Sequence, residues 1–151
     1  MAKVHFERRL IGEVLVGRGV VTQRQLEAAL EVQRGSATGE FIGEILVRLG
    51  YVTEIDIVTA LVLQCNLPYI AVSKHEVSPG VLSLIPADFA RHSRLVPLDR
   101  IGNILSVVMM NPMDEDKRQE VEVMTGCKIA TFISTRSEID VALKRFYGEG
   151  K

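Results

Sequence analysis

Apolar positions in the first 66 residues recur with the period of a helix, and the pattern is written twice. Leu10, Ile11, Val14 and Leu15 fall at the spacing of one buried helical stripe. Gly19 stands where such a helix stops in a left-handed conformation. After the crossing "VVT", Thr22-Gln-Arg-Gln25 has the form of a capping box opening a second helix, with Leu26, Ala29, Leu30 and Gln33 along one face. Thirty-one residues later the plan returns: Gly50 is the stop, Thr53 and Asp56 the cap, and Ile57, Ala60, Leu61 and Gln64 the stripe. Residues 10–33 and 41–64 align without a gap and share 11 of 24 letters, too many for helical composition alone. The second helix of copy two, "IDIVTALVLQ", is apolar on more than one side and is expected to lie between other elements. "RGSATGE" (34–40) joins the copies.

The period changes beyond residue 66. "CNLPYIAVSKHEVSPG" (65–80) carries two helix-stopping prolines, and "YIAV" within it has the composition of a short edge strand. Ser78-Pro79 opens a short helix and Pro86 another. "RLVPLDRIGNILSVVMM" predicts two strands around a "DRIGN" turn. "NPMDEDKRQEVEVMTG" predicts a helix with acids in its first turn and Gly126 at its end, and "KIATFIS" a third strand. Thr135-Arg-Ser-Glu138 is a further capping box, opening a terminal helix that runs to about Tyr147. The expected fold class is α+β: a pair of helical hairpins (four helices, internal repeat) packed with a small three-stranded ββαβα subdomain. The expected division is 1–66 for the hairpins, 67–77 for a connector, 78–148 for the subdomain and 149–151 for a tail.

Composition narrows the function. Eighteen basic residues against nineteen acidic ones, with no basic tail, argue against a nucleic-acid partner. Hydrophobic content of 47% with no Trp gives an aliphatic core. The start has no secretory-signal pattern, and no apolar run is long enough for a bilayer, so a cytoplasmic chain without direct membrane insertion is expected. Cys65 and Cys127 lack metal-ligand spacing, and His5, His75 and His92 are scattered, so no metal is expected. No serine has a paired histidine and acid, and Gly17-Arg18-Gly19 lacks the rest of a dinucleotide loop. Met109, Met110 and Met124 suit core filling or a docking face. No catalytic residue is assigned, and no cofactor is required.

Each copy fits a pattern of Arg-Leu-Gly, two variable residues, two aliphatics, two variable, glycine, two aliphatics, then Leu-x-x-x-Leu-x-x-Gln. With "SLIPADFARHSRLVPLDRIGNILSVVMMNPMD", "TGCKI" and "FYG" after it, the chain from about residue 8 to 148 resembles the N-terminal region of the type II secretion and type IV pilus assembly ATPases, the GspE, PilB and MshE group. The resemblance implies a cytoplasmic regulatory and protein-docking module, recruited to the inner face of the inner membrane. Its partners would be components of the secretion or pilus machinery: the motor ATPase or its inner-membrane partner protein. The family's Gly-x-x-x-x-Gly-Lys-Ser/Thr phosphate loop occurs nowhere in the sequence.

In some members of that family the doubled motif binds cyclic di-GMP, and a sensor of that ligand is the alternative function. Two guanines and two phosphates related by a two-fold suit a pseudo-symmetric pair of motifs. The resemblance points to Gly12 and Gly43 as positions where the protein backbone approaches the ligand closely, Arg9 beside them and Phe41 stacking on a guanine, with Ile11, Ile42, Leu26, Leu30, Ile57 and Leu61 as apolar surface for the bases and Gln33 and Gln64 at the rim. Packing of the hairpins, or helix capping for the glutamines, would require the same residue types. The motif's leading arginine is Leu10 in copy one and Phe41 in copy two. Arg9 stands one residue early, a rotation of roughly 100° on a helix, and Glu40 occupies the matching place in copy two. Loss of both arginines is expected to weaken binding.

Overall fold

The computed structural model describes residues 11–35, 40–110, 112 and 114–148. Arg9, Leu10, residues 36–39 of the connector, Asn111, Met113 and the 149–151 tail lie outside the described residues. The chain divides into two compact units, Met1–Asn66 and Leu67–Lys151.

In the first unit both copies fold by one plan. Helix α1 is described over residues 11–17, and its counterpart α3 covers Ile42–Arg48, the positions 31 residues on. Gly19 and Gly50 stop them at φ +75 and +81. Val20 N–H reaches Leu15 O at 3.0 Å and Gly19 N–H reaches Val16 O at 3.0 Å; Tyr51 to Leu46 and Gly50 to Val47 repeat the pair at 3.0 and 2.9 Å. These paired bonds form the Schellman stop, which satisfies carbonyls the helix end leaves open. Helix α2 (Gln23–Gly35) opens on Thr22, whose hydroxyl accepts from Gln25 N–H at 3.0 Å while the Gln25 amide oxygen accepts from Thr22 N–H at 2.9 Å. Thr53 and Asp56 close the equivalent box on α4 (Glu54–Cys65) at 3.1 and 2.9 Å. Leu15, Ala29, Ile45, Leu46 and Ala60 are wholly buried, and α2 packs on α3, so the hairpins share a surface. On α4 the outcome differs from the expectation of cover on several sides. Ile55 and Leu63, eight residues apart, each remain 61% exposed.

The second unit begins with a 3-10 turn, Val72–Lys74. Two short helices follow, α5 (Pro79–Leu82) and α6 (Ala87–Ser93). Strands β1 (Leu95–Ile101) and β2 (Ile104–Met109) form an antiparallel hairpin, and α7 (Glu115–Thr125) carries the chain to β3 (Lys128–Phe132), parallel to β2. Helix α8 (Arg136–Tyr147) completes the order. The hairpin turn is tighter than "DRIGN" suggests: the strands pair through Ile101 and Ile104, with Gly102 left-handed between them. Pro97 pairs with Val107 and Asp99 with Ser106, so Leu98 is a bulge. "YIAV" contributes a single bridge, Tyr69 to Ile133, in place of a strand. Val72, Leu95, Val96, Leu105, Val107, Val108, Val121 and Ile139 centre the core.

Two polar anchors on α8 lie beyond the sequence patterns. Thr135 accepts from Glu138 N–H at 3.1 Å, as expected of a cap. The Glu138 carboxylate, however, accepts from Ser73 N–H at 2.9 Å. The Ser73 side chain and N–H, aided by Lys74, hold its carboxyl below its ordinary 4.5 despite partial burial. A lowered folded pKa contributes stability that is present above pH 4.5 and lost as pH falls through the lowered value. Glu138→Gln should therefore cost about 1 kcal/mol near neutrality, a charge-assisted bond discounted for exposure. The gap should close in acid, as urea midpoints against pH would report.

At the other end of α8, the Tyr147 hydroxyl shares its proton between Leu82 O at 3.1 Å and Ile85 O at 3.2 Å. Burial pushes this phenol up to about 12. Its stabilising share is then full below pH 10 and is lost as pH rises through about 12. Tyr147→Phe should lower stability by about 1 kcal/mol at neutral pH. It should also abolish that alkaline step in a pH series of thermal melts.

Candidate functional site

The candidate residues of the first unit are placed by the two helical hairpins. Ile11 and Gly12 sit on α1, with Leu26, Leu30 and Gln33 on α2. Phe41 caps the N-terminus of α3 in extended conformation (φ −74, ψ 149), followed by Ile42 and Gly43; Ile57, Leu61 and Gln64 lie on α4. Arg9 lies outside the described residues.

Each first helix presents its glycine to the opening turn of its own second helix. A Cβ on Gly12 would stand 2.8 Å from Leu26 Cδ1 and 3.0 Å from Cδ2. A Cβ on Gly43 would stand 3.3 Å from Ile57 Cγ2. Leu26 and Ile57 are 31 residues apart, so the contact itself is duplicated, although tighter in copy one. The Cβ direction of both glycines is thus taken by an apolar side chain of the same hairpin. Ile11, Leu26 and Leu61 are buried, while Leu30, Gln33, Phe41, Ile42, Ile57 and Gln64 are half-buried and keep surface for a contact.

Around the connector the copies diverge. Gln33 Nε2 donates to Glu40 O at 3.1 Å, and the Glu40 carboxylate binds Arg48 Nη2 at 2.8 Å. The Glu44 carboxylate accepts from Phe41 N–H at 3.3 Å. Glu40, at the place matching Arg9, is thereby engaged with α3. The pairing of Glu40 with Arg48 was not anticipated from the sequence; eight residues separate the two, and only the helix start at Ile42 brings them together. Gln64, the counterpart of Gln33, has no side-chain hydrogen bond with a partner among the described residues.

Charge on this unit is close to balanced. From residue 1 to 66 the sequence has six arginines, one lysine and eight carboxylates. Arg34 pairs with Glu31 and Arg48 with Glu40, while Arg18 and Arg24 are exposed. Apolar contact and stacking, more than charge neutralisation, are what the arrangement offers. Among the described residues, no three His, Cys, Asp or Glu side chains gather as metal ligands. None of the described helices is long and apolar enough to cross a membrane.

Residues 65–151 match the family model described as the MshEN domain. Two type IV pilus assembly ATPases, PilB of Myxococcus xanthus and PilB of Thermus thermophilus, are each 30% identical to the chain, over 139 and 141 residues. Both alignments take in 92% of this chain but only 24% and 16% of the relatives, so the chain spans about a quarter of their length or less. A solved structure of MshE with cdg (cyclic di-GMP) is 28% identical, with a TM-score of 0.75 over 91% of this chain and 98% of that one. The N-terminal domain of XpsE, 24% identical, covers 91% and 94% with a TM-score of 0.77 and bears on the fold alone. The α+β architecture is the one these structures share.

Proposed function

Because this chain belongs to the MshEN domain family, we propose that it is a non-catalytic regulatory and docking module for a secretion or pilus assembly motor. The observation that carries this reading is the likeness to the solved MshE structure, 28% identical with a TM-score of 0.75 over 91% of this chain. The phosphate-loop string is absent from the sequence, so chemistry belongs to another polypeptide segment and this one supplies contacts. Its partners are the motor ATPase or the motor's inner-membrane partner protein, met at the cytoplasmic face. Biosensor titration of the immobilised chain against each purified candidate tests the proposal. Saturable binding to one is expected, and failure to bind either would remove it.

A second reading is favoured by the MshE structure with cyclic di-GMP: the same ligand held by the two motif copies of the first unit. Leu30, Phe41, Ile42 and Ile57 would face the flat bases, with Gln33 and Gln64 at the rim. With Leu10 and Phe41 at the arginine positions, the expected affinity is weak, about 10–100 μM, or about −6 kcal/mol. Calorimetry should give saturable heat that Leu30→Asp removes. A flat titration to about 1 mM ligand would end this reading.

A further inference from the structure

The stretch from residue 67 to 77 has the composition of a loose connector, yet it is anchored along its length to the second unit. Pro68 O accepts from Ile133 N–H at 2.9 Å, and Ile70 N–H donates to Ile133 O at 2.9 Å. Val72 is wholly buried in the second core. Ser73 N–H donates to the Glu138 carboxylate at 2.9 Å. The Arg145 guanidinium then spans the next turn: Nη1 donates to Ser73 O at 2.8 Å and to His75 O at 2.9 Å, while Nη2 binds the Glu76 carboxylate. Glu138 and Arg145 are seven residues apart, two turns of α8, and so share one face. Beyond them Ser78 caps α5, its hydroxyl accepting from Val81 N–H at 3.4 Å.

On the other side, α4 ends with Asn66 in a left-handed conformation (φ 54, ψ 42), its N–H still bonded to Val62 O at 2.9 Å. Leu67 alone separates that helical bond from the Pro68 anchor.

We infer that residues 67–77 are a strap latched onto α8 by Glu138 and Arg145, confining the connection between the two units to the Asn66–Leu67 junction. The consequence is mechanical. A latched junction spans one or two residues, about 3.5 Å each. An unlatched segment of 11 residues would behave as a tether of about 17–20 Å root-mean-square reach. A signal received by one unit passes to the other through a short, directed joint only while the latch holds. The groups facing the latch are Ser73, Lys74, His75 and Glu76 from the strap. On α8 itself the ring of Phe146 lies 5.1 Å from the Arg145 guanidinium. Nothing in the inference depends on a ligand or a protein partner.

Limited trypsin digestion of the full chain tests it, because Lys74 lies exposed within the strap. Cleavage after Lys74 should be slow in the wild type, about 5-fold faster in Glu138→Gln and at least about 10-fold faster in Arg145→Gln, with the population open to the protease setting the rate. Should Arg145→Gln fail to fold, Glu138→Gln still decides, since its amide oxygen can still accept from Ser73 N–H and only the charge is lost. Amide exchange gives a second measure: Ser73 should exchange nearly as slowly as Val107 of the sheet, and faster in either variant. Rapid wild-type cleavage at Lys74, or variants indistinguishable from wild type, would each overturn the inference.

Discussion

Valine at Gly12 is expected to destabilise the first unit by about 3 kcal/mol, whereas alanine at Gly43 should leave it nearly unchanged. The difference follows from distance. At Gly12 even a Cβ meets both methyls of Leu26 at 3.0 Å or less, and Leu26 is 6% exposed with little room to turn. Valine adds two further methyls and a β-branched cost in the helix. At Gly43 the nearest atom is 3.3 Å away on a half-buried Ile57, so a few tenths of an ångström suffice, and alanine regains about 1 kcal/mol of helix propensity over glycine. Circular dichroism melts of the four single alanine and valine variants measure this. Leu26→Ala should rescue Gly12→Ala in part, a non-additivity expected of residues in contact. The pair also bears on function. If Gly12 serves ligand approach more than packing, Gly12→Ala will abolish nucleotide binding at an unchanged melting temperature.

Arginine placed at both Leu10 and Phe41 is expected to tighten cyclic di-GMP binding by about 10- to 100-fold, that is, by about 1.4–2.8 kcal/mol. Each guanidinium would add a charge-assisted, two-pronged contact to a phosphate or a stacking plane for a base. The unit holds six arginines and one lysine against eight carboxylates from residue 1 to 66, so two added arginines turn its net charge positive and favour an anionic ligand. Phe41 caps α3, where a cation opposes the helix dipole by about 0.3–1 kcal/mol, less than the expected gain. Calorimetry on wild type, the two single variants and the double variant would show it. An affinity that stays flat across all four would mean that the missing arginines are not what limits this site.

Local rules carried much of this fold. Thr22 with Gln25, Thr53 with Asp56, and the stops at Gly19, Gly50 and Gly126 act within one turn of chain, so short patterns expose them. The repeat offset of 31 returned matching ends for α1 and α3 because both copies carry the same stop, Gly19 and Gly50. Contacts between elements distant in sequence were not legible. Glu138 satisfies a capping pattern on paper, but the partner its carboxylate reaches, Ser73, is 65 residues away. Arg91 donates to Tyr147 O across 56 residues and Arg145 to Ser73 O across 72; no spacing rule points to either. At the candidate site the glycines were visible and their neighbours were not. That Leu26 and Ile57 fill the space beside them depends on how closely two helices approach, which hydrophobic periodicity leaves open.

Pro97 and the bulge at Leu98 sit in the middle of β1, the outer strand on one side of a sheet ordered β1-β2-β3. A proline has no N–H to offer an incoming strand, and a bulge twists the ladder away from it. On the opposite side, the Tyr69 bridge occupies the backbone of Ile133 just past β3. An extended peptide therefore finds no open ladder across the middle of β1.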